Sequence, residues 1–483
     1  MSFSLSFLTF LFIITLLYFA LPRILRPFIL LGGSLWFVWQ LDRRALVALL
    51  ICSVLVYLAG LLTEQAAGLN SRTPARLIGT LSVVLLVLAL LFFKYSSRIA
   101  PLLPPRTGDT DEFLTRFLLP IGFSYYVFQA IGYLADIAAG KQRAERNPLY
   151  FLLWMCFFPK FISGPIERAE NFLPQIRALS SVRFLDADRL SPAFCWILYG
   201  FSLKLIVADR IGVYVPKLFE GYAGFHSPML FFGVFLYSVQ IYCDFAGYSA
   251  LAVGIARIYG LTLTQNFLAP YLADRISGFW RRWHRSLSQW LRDYIYIPLG
   301  GNRRGLLRQC LNTAIVFVLC GMWHGNGLNF VAWGALHAVY SVLDILDRQR
   351  KGRDHAVTRF FRRLLTFAAV SFAWIFFGAS GMTSALAYTA RMFTAGSAGR
   401  SFADDLALLD MPVTEKNFLL IAILFVFFTD LATYRKKEAF PDLVRRWPFV
   451  LRYFFYAALV VLILLFGIYG PGYDAGAFLY MAF

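Results

Sequence analysis

Charged side chains are scarce in this chain of 483 residues, and that scarcity decides its class. Only 15% of the residues are charged while 59% are hydrophobic, and the mean hydropathy is +0.63. An ordinary soluble domain carries charge on about a quarter of its residues. The shortage therefore excludes a soluble globular protein and predicts an all-α, polytopic integral membrane protein. Apolar stretches of about 20 residues recur and predict about ten to twelve spanning helices, with re-entrant and interfacial helices besides.

Cysteine is also rare, and its spacing excludes the common metal and disulfide frameworks. The six cysteines are scattered through apolar segments, and no two form a CxxC pair. We therefore predict no metal site and expect six small, buried apolar side chains. The sequence likewise lacks a P-loop, a GxGxxG turn in a βαβ context and a visible internal repeat. Neither a nucleotide-binding domain nor a repeat-built transporter is indicated, and no bound cofactor is expected.

Acidic residues number 27 against 46 lysines and arginines, so the formal net charge is +19. In a membrane protein the positive-inside rule accounts for this excess, and nucleic acid is not indicated as a partner. Basic residues cluster at 275–308, 348–363 and 435–452, which we place on the cytoplasmic side, and the acidic connection 401–415 is placed outside. The cytoplasmic arginines suit either a polyanion such as coenzyme A or anionic membrane lipid.

Histidine is the rarest of the chemically useful residues, with five copies. His284 and His324 stand among tryptophans, glycines and apolar residues, where an ionisable ring is expensive to bury. We predict that these two histidines share a catalytic site. His337 is predicted to be structural support, whereas His226 and His355 lie in short polar connections.

The segment around His284 is predicted to form one amphipathic helix. At 100° per residue, Trp280, Trp283 and His284 fall on one face, and Arg281 and Arg282 fall on the other. An interfacial helix with snorkelling arginines and a hydrogen-bonded core histidine explains this pattern equally well.

The segment around His324 is broken by Gly325 and Gly327 inside an apolar run. Interrupted backbone at membrane depth persists only where it is buried in protein or lines a cavity. We therefore expect His324 to face a cavity, and a histidine bound to a backbone carbonyl at a helix break is the alternative.

Five ordered motifs between residues 119 and 337 carry a resemblance to a known family, and the resemblance covers almost the whole chain. The chain resembles the membrane-bound O-acyltransferase superfamily, and within it the bacterial alginate O-acetyltransferase membrane subunits and D-alanyl-teichoic-acid transferases. The motifs are LPIGFSYYVFQAIGYLAD at 119–136, FFPKFISGPIERAENFLPQI at 157–176, QIYCDFAGYSALAVGIARIYG at 240–260, NFLAPYLADRISGFWRRWHRSLSQWLRDYIYIPLGGNRRG at 266–305, and GMWHGNGLNFVAWGALH at 321–337.

The resemblance implies a fold and two site residues. It implies one membrane-embedded domain over residues 1–483, with core motifs at 119–344 and a funnel-shaped helical fold. By the WHG motif, His324 matches the catalytic histidine of the superfamily, and His284 matches its second polar position. Gly278 and Ala250 stand where relatives often carry an acidic residue, which leaves the acceptor's identity open.

Acyl transfer needs a base for the weakly nucleophilic hydroxyl, and we predict that His324 is this base. His284 is then expected to orient the thioester or to stabilise the oxyanion. Trp323 and Asn329 are predicted to shape the cavity. Further predicted substrate-binding residues are Asp244, Arg281 and Arg282, although Asp244 is better explained as the structural partner of an arginine.

Implied partners and alternatives follow from the same resemblance. The expected donor is acetyl-CoA on the cytoplasmic side, and the expected acceptor is an extracytoplasmic polysaccharide, reached directly or through an exported esterase-like partner. The expected location is the inner, cytoplasmic membrane. Three alternatives stay open: a D-alanyl transferase using a carrier-protein thioester, a lipid acyltransferase, and a polysaccharide exporter without enzymatic activity.

Overall fold

The computed structural model describes residues 5–68, 73–99, 119–349, 355–396 and 401–469. Within these ranges the regular structure is helical and contains no strand, as predicted. Ten helical segments there are long and apolar enough to cross a membrane, which confirms a polytopic membrane protein at the lower end of the predicted span number. Those segments are Arg23–Leu41, Arg43–Ala67, Thr73–Ser96, Ala187–Glu220, Ser227–Ile258, Leu306–His324, Leu328–Gln349, Ala356–Gly378, Val413–Lys436 and Phe449–Phe466.

The long helices follow from extended apolar runs, and side-chain caps mark the start of two helices. Asp42 accepts a hydrogen bond from the Arg44 N–H at 2.8 Å, and Asn147 accepts one from Leu149 at 3.0 Å. Both satisfy amides that a helix N-terminus leaves unpaired. The α-helices are α1 Leu5–Ala20, α2 Arg26–Leu41, α3 Arg43–Ala67, α4 Thr73–Ile99, α5 Phe123–Ala138, α6 Pro148–Cys156, α7 Ala169–Arg177, α8 Ala187–Phe201, α9 Asp209–Gly212, α10 Val215–Glu220, α11 Ser227–Ile258, α12 Ile276–Trp280, α13 Arg285–Leu291, α14 Leu306–His324, α15 Leu328–Gln349, α16 Ala356–Gly378, α17 Met382–Thr394, α18 Phe402–Leu408, α19 Val413–Lys436, α20 Phe440–Val444 and α21 Phe449–Phe466.

By internal contacts the chain divides into two compact units. The first contains α1 to α7, the start of α8 and the end of α11, and the second contains the remaining helices. The prediction of one domain over residues 1–483 stays a prediction. Five of the six cysteines are buried, as expected, and Cys310 is half-buried.

In the first unit, buried polar side chains hold loops against helices. The Arg26 guanidinium donates to the carbonyl oxygens of Leu179 and Val182, at 2.9 and 2.7 Å. Glu167 accepts hydrogen bonds from the N–H and the hydroxyl of Thr264, at 2.9 and 3.0 Å. Each contact gives a buried polar group the partner that its burial requires.

In the second unit, α14 and α15 form a tightly packed helical hairpin. A Cβ atom on Gly321 would lie 2.3 Å from the Phe330 carbonyl oxygen, and one on Gly334 would lie 2.4 Å from the Phe317 carbonyl oxygen. Only glycine permits backbones to approach this closely. The contact fixes the relative position of the residues at the end of α14 and along α15.

The predicted single helix around His284 is wrong. The segment forms two short helices, α12 and α13, joined by a turn in which His284 has φ 41° and ψ 56°. Left-handed backbone is unfavourable for a residue with a Cβ atom, so tertiary contacts must hold it. These contacts come from the loop at residues 266–268. The Arg285 N–H donates to the Asn266 carbonyl at 3.0 Å, and the Leu268 N–H donates to the Arg282 carbonyl at 3.1 Å.

Candidate active site

His324 is the last residue of α14, and the hairpin turn begins directly after it. Gly325 ends the helix in extended backbone and Leu328 begins α15, so the predicted break in the apolar run is confirmed. The imidazole is 3% exposed. Its centroid lies 4.7 Å from the Trp323 ring, 5.1 Å from Trp333 and 5.2 Å from Phe377.

His284 is fully buried in the turn between α12 and α13. Its ring lies edge-on to Phe245 at 4.8 Å and 6.4 Å from the Trp323 ring. Burial lowers the pKa of His284 to about 3, because an apolar surrounding disfavours the charged imidazolium. The ring is therefore neutral near pH 7, with one N–H donor and one acceptor nitrogen.

The two histidines meet at one tryptophan. Both rings contact the Trp323 indole, so residues 40 positions apart in the chain lie in one aromatic cluster of the second unit. The left-handed turn at His284 and the glycine contact of the hairpin together produce this arrangement. A neutral imidazole in such a setting can accept a proton without first losing one.

Asn329 has a positioning contact that sequence patterns did not reveal. Its side-chain amide donates to the carbonyl oxygens of Phe376 and Ala379, at 3.0 and 3.2 Å. These acceptors lie at the C-terminal end of α16, where carbonyls lack helical partners. Asn329 thus ties the start of α15 to the helix that brings Phe377 against His324.

Asp244 pairs with a lysine, so its predicted arginine partner is wrong. The Lys204 ammonium lies 2.6 Å from Asp244 and 2.7 Å from Asp209, and all three side chains are buried or nearly so. Lys204 belongs to a π-helical turn, Ser202–Ala208, that directly continues α8. The pairing across α8 and α11 satisfies the carboxylate that the sequence places at membrane depth.

Arg281 and Arg282 are adjacent in sequence but point to different places. The Arg282 guanidinium stacks over the Tyr434 ring at 4.9 Å and donates to the Gly278 carbonyl at 3.4 Å. Arg281 instead lines a cavity of about 560 Å³. The same cavity is lined by Arg285, Arg292 and Arg348.

One carboxylate organises the rim of this basic cavity. Asp344 accepts hydrogen bonds from Arg275 at 3.2 Å, from Arg348 at 2.6 Å and from the Ser277 N–H at 3.0 Å. The remaining cavity arginines give the space a positive potential. Sequence analysis located the basic segment, but only the return of α15 to residues 275–292 makes it a cavity.

Comparison with known proteins places these residues in context. Residues 3–388 match the membrane-bound O-acyltransferase family. The probable alginate O-acetylase of Azotobacter vinelandii is 32% identical over 88% of this chain and 83% of its own length. The peptidoglycan O-acetyltransferase of Helicobacter pylori is 32% identical over 57% of this chain and 60% of its own length. The teichoic acid D-alanyltransferase of Bacillus subtilis is 31% identical over 52% of this chain and 65% of its own length.

Proposed function

Because the chain belongs to the membrane-bound O-acyltransferase family, we propose that it transfers an acetyl group from acetyl-CoA to hydroxyl groups of an extracytoplasmic polysaccharide. The observation that carries this proposal is the pair of buried histidines whose rings both lie beside Trp323. The acetyl-transfer assignment draws on the longer match, since the alginate relative covers 88% of this chain and the D-alanyl relative 52%.

In the proposed reaction, His324 is the general base. Its neutral ring takes the proton of the acceptor hydroxyl while the oxygen attacks the thioester carbon. The tetrahedral intermediate then collapses, the C–S bond breaks, and the leaving thiolate takes the proton back from His324. His284 donates a hydrogen bond to the oxyanion, which a neutral imidazole does at no cost in charge. Burial among aromatic rings keeps water from competing for the acetyl group.

The basic cavity supports a polyanionic donor. Arg281, Arg285 and Arg292 line it with charge suited to the phosphates of coenzyme A. Trp280 and Phe317 form part of the same lining. With the basic segments on the cytoplasmic side, where coenzyme A is available, the protein belongs in the cytoplasmic membrane. An exported esterase-like protein that passes the acetyl group on is compatible with this arrangement.

A D-alanyl transferase is the second candidate, because a relative with that name is 31% identical over half of this chain. Its donor is a carrier-protein thioester, which presents one phosphate in place of the several phosphates of coenzyme A. The cluster of arginines in the cavity favours the more highly charged donor.

Direct transfer of label tests the proposal. Membranes that contain the protein are incubated separately with acetyl-labelled coenzyme A and with a D-alanyl-loaded carrier protein, and the labelled product is identified. We expect alkali-labile acetyl label in polysaccharide from the first donor only. Label from the carrier protein alone contradicts acetyl transfer and supports the second candidate. Label in lipid contradicts both.

A further inference from the structure

The turn that carries His284 needs support from outside itself. His284 is the N-cap residue of α13, with φ 41° and ψ 56°, and its imidazole packs edge-on to Phe245 and does not cap the helix. An N-cap residue ordinarily uses a side-chain oxygen to accept an amide N–H of the first helical turn. Left-handed backbone ordinarily calls for glycine, asparagine or aspartate. A histidine in this place therefore relies on another part of the chain for both tasks.

Asn266 caps α13 in place of His284. It belongs to the loop before α12, and it is 1% exposed. Its side-chain oxygen Oδ1 accepts the Ser286 N–H at 3.1 Å, and its main-chain carbonyl oxygen accepts the Arg285 N–H at 3.0 Å. Both N–H groups belong to the first turn of a helix, where amides lack helical partners. One residue, 20 positions before Ser286, thus satisfies the two amides that directly follow the left-handed turn.

The next two residues of the loop hold the other side of the same turn. The Leu268 N–H donates to the Arg282 carbonyl at 3.1 Å, two residues before His284. The Phe267 ring lies 4.9 Å from the Phe245 ring, and Phe245 lies 4.8 Å from the imidazole of His284. The segment 266–268 therefore fixes the backbone on both sides of His284 and supports the ring against which the imidazole packs.

The conformation at position 284 indicates what this support is for. Strained backbone persists only where surrounding contacts enforce it, and such strain is concentrated at functional sites. A glycine at position 284 adopts the turn without help, but it brings no imidazole. The fold therefore has no need of histidine there, whereas acyl transfer has a use for a buried N–H donor.

We propose that Asn266 is the positioning residue of His284: it holds the left-handed turn so that the imidazole presents its N–H to the oxyanion. This inference rests on the proposed acetyl transfer, because it concerns the oxyanion donor of that reaction. Asn266 acts through His284 and has no contact with the reacting atoms. The sequence places both residues in one motif, 266–305, but gives no sign that the first residue of the motif caps the helix after His284.

The acceptor oxygen of Asn266 is the atom that matters. Among the described residues its Nδ2 atom has no hydrogen-bond partner, whereas Oδ1 accepts the Ser286 N–H. Aspartate keeps an acceptor oxygen in the same place and suits a helix N-terminus. Leucine has nearly the same shape and cannot accept a hydrogen bond. Asn266→Asp and Asn266→Leu are therefore a matched pair of variants.

Steady-state kinetics of acetyl transfer separates positioning from donor binding. Asn266→Leu should lower kcat by roughly 10- to 100-fold, because a displaced oxyanion donor loses much of the 10²- to 10³-fold that such a donor contributes. The KM for acetyl-CoA should stay within about twofold, because binding of the donor does not involve the turn. Asn266→Asp should keep kcat within about fivefold of wild type, because the helix keeps its cap.

Combination with His284→Ala supplies a readout that general damage to the fold does not reproduce. In the His284→Ala background, Asn266→Leu should change kcat by less than about twofold, because the residue that it positions is already absent. Equal losses in both backgrounds overturn the inference. A rise in KM at unchanged kcat, or a loss that Asn266→Asp shares in full, also overturns it.

Folding and donor identity are checked in the same series. Asn266→Ala removes the acceptor without adding apolar bulk, and rates are expressed per unit of folded protein. Loss of folded protein from both Asn266→Leu and Asn266→Ala assigns the residue to the fold alone and overturns the inference. Each rate is a ratio to wild type, measured with the thioester donor that gives label. Label from a D-alanyl-loaded carrier protein alone contradicts the proposed acetyl transfer, yet the same dependence on His284 then supports the positioning role. Absence of transfer from either donor overturns both.

Discussion

At the scale of single residues, the site combines two histidines in unlike backbone settings. His324 ends a regular helix, whereas His284 occupies a left-handed turn that only its tertiary contacts stabilise. Motif spacing predicted both residues as site residues, but it did not indicate that both rings would lie beside Trp323. In the proposed mechanism His324 is the base and His284 the oxyanion donor, so their substitutions should have different effects.

Substitution of His324 tests the base directly. His324→Ala should lower the rate of acetyl transfer by roughly 10²- to 10⁴-fold with little change in insertion or thermal midpoint, because a missing base affects the transition state. Label incorporation per unit of folded protein is the measurement. His355→Ala, an exposed histidine outside the site, should retain activity within about twofold. Near-normal transfer by His324→Ala excludes the mechanism.

Burial of His284 predicts a pH dependence of stability. Its pKa in the folded protein is about 3 and its ordinary value is 6.5, so the unfolded chain binds the proton more readily. The contribution of His284 to stability is complete above pH 6.5 and declines as the pH falls from 6.5 towards 3. The thermal midpoint of wild-type protein should therefore drop with acidification. His284→Asn, which does not titrate, should show a shallower drop, and identical curves contradict the assignment.

At the scale of elements, the α14–α15 hairpin does most to position the site. The close approach of Gly321 and Gly334 sets where His324 and Trp333 lie, and Asn329 then fastens the hairpin to the end of α16. Glycine spacing indicated a break in the apolar run. It did not indicate that the glycines of facing helices touch, because that contact depends on the register between two segments.

A methyl group at the helix contact should disturb this register. Gly334→Ala places a Cβ atom 2.4 Å from a backbone carbonyl that cannot move aside, and overpacking of this kind costs about 1–3 kcal/mol. Thermal midpoint and acetyl transfer should both fall. Gly32→Ala is the matched control, because no atom lies within 4 Å of its Cβ position and alanine favours the helix. Equal behaviour of the two variants would show that the hairpin contact does not position the site.

At the scale of the whole molecule, the charge distribution predicts an orientation. Basic segments 275–308 and 348–363 should face the cytoplasm, and the acidic segment 401–415 should face outwards. Helix α16 begins in the basic segment 348–363 and α19 begins in the acidic segment 401–415. Each helix is long enough to cross a membrane, which is what the predicted orientation requires.

Labelling with an impermeant thiol reagent in intact cells tests the orientation. Positions 358 and 414 are both exposed, so the test uses Thr358→Cys and Thr414→Cys. Labelling of the native cysteines should be low, because five of them are buried and Cys310→Ser removes the sixth. We expect label on Thr414→Cys alone, and on both after the membrane is opened. Label on Thr358→Cys in sealed cells reverses the predicted topology.

The sequence by itself determined the class of the protein, its helical composition and its family, since hydropathy and contiguous motifs are local properties of the chain. It also located the arginines but treated Arg281 and Arg282 as one set, and it assigned Asp244 to the wrong kind of partner. Tertiary structure alone decided that one arginine lines the cavity, that Lys204 joins two aspartates, and that His337 lies buried between Trp280 and Trp333. Each of these depends on residues far apart in sequence meeting in space, and no periodicity within one segment encodes such a meeting.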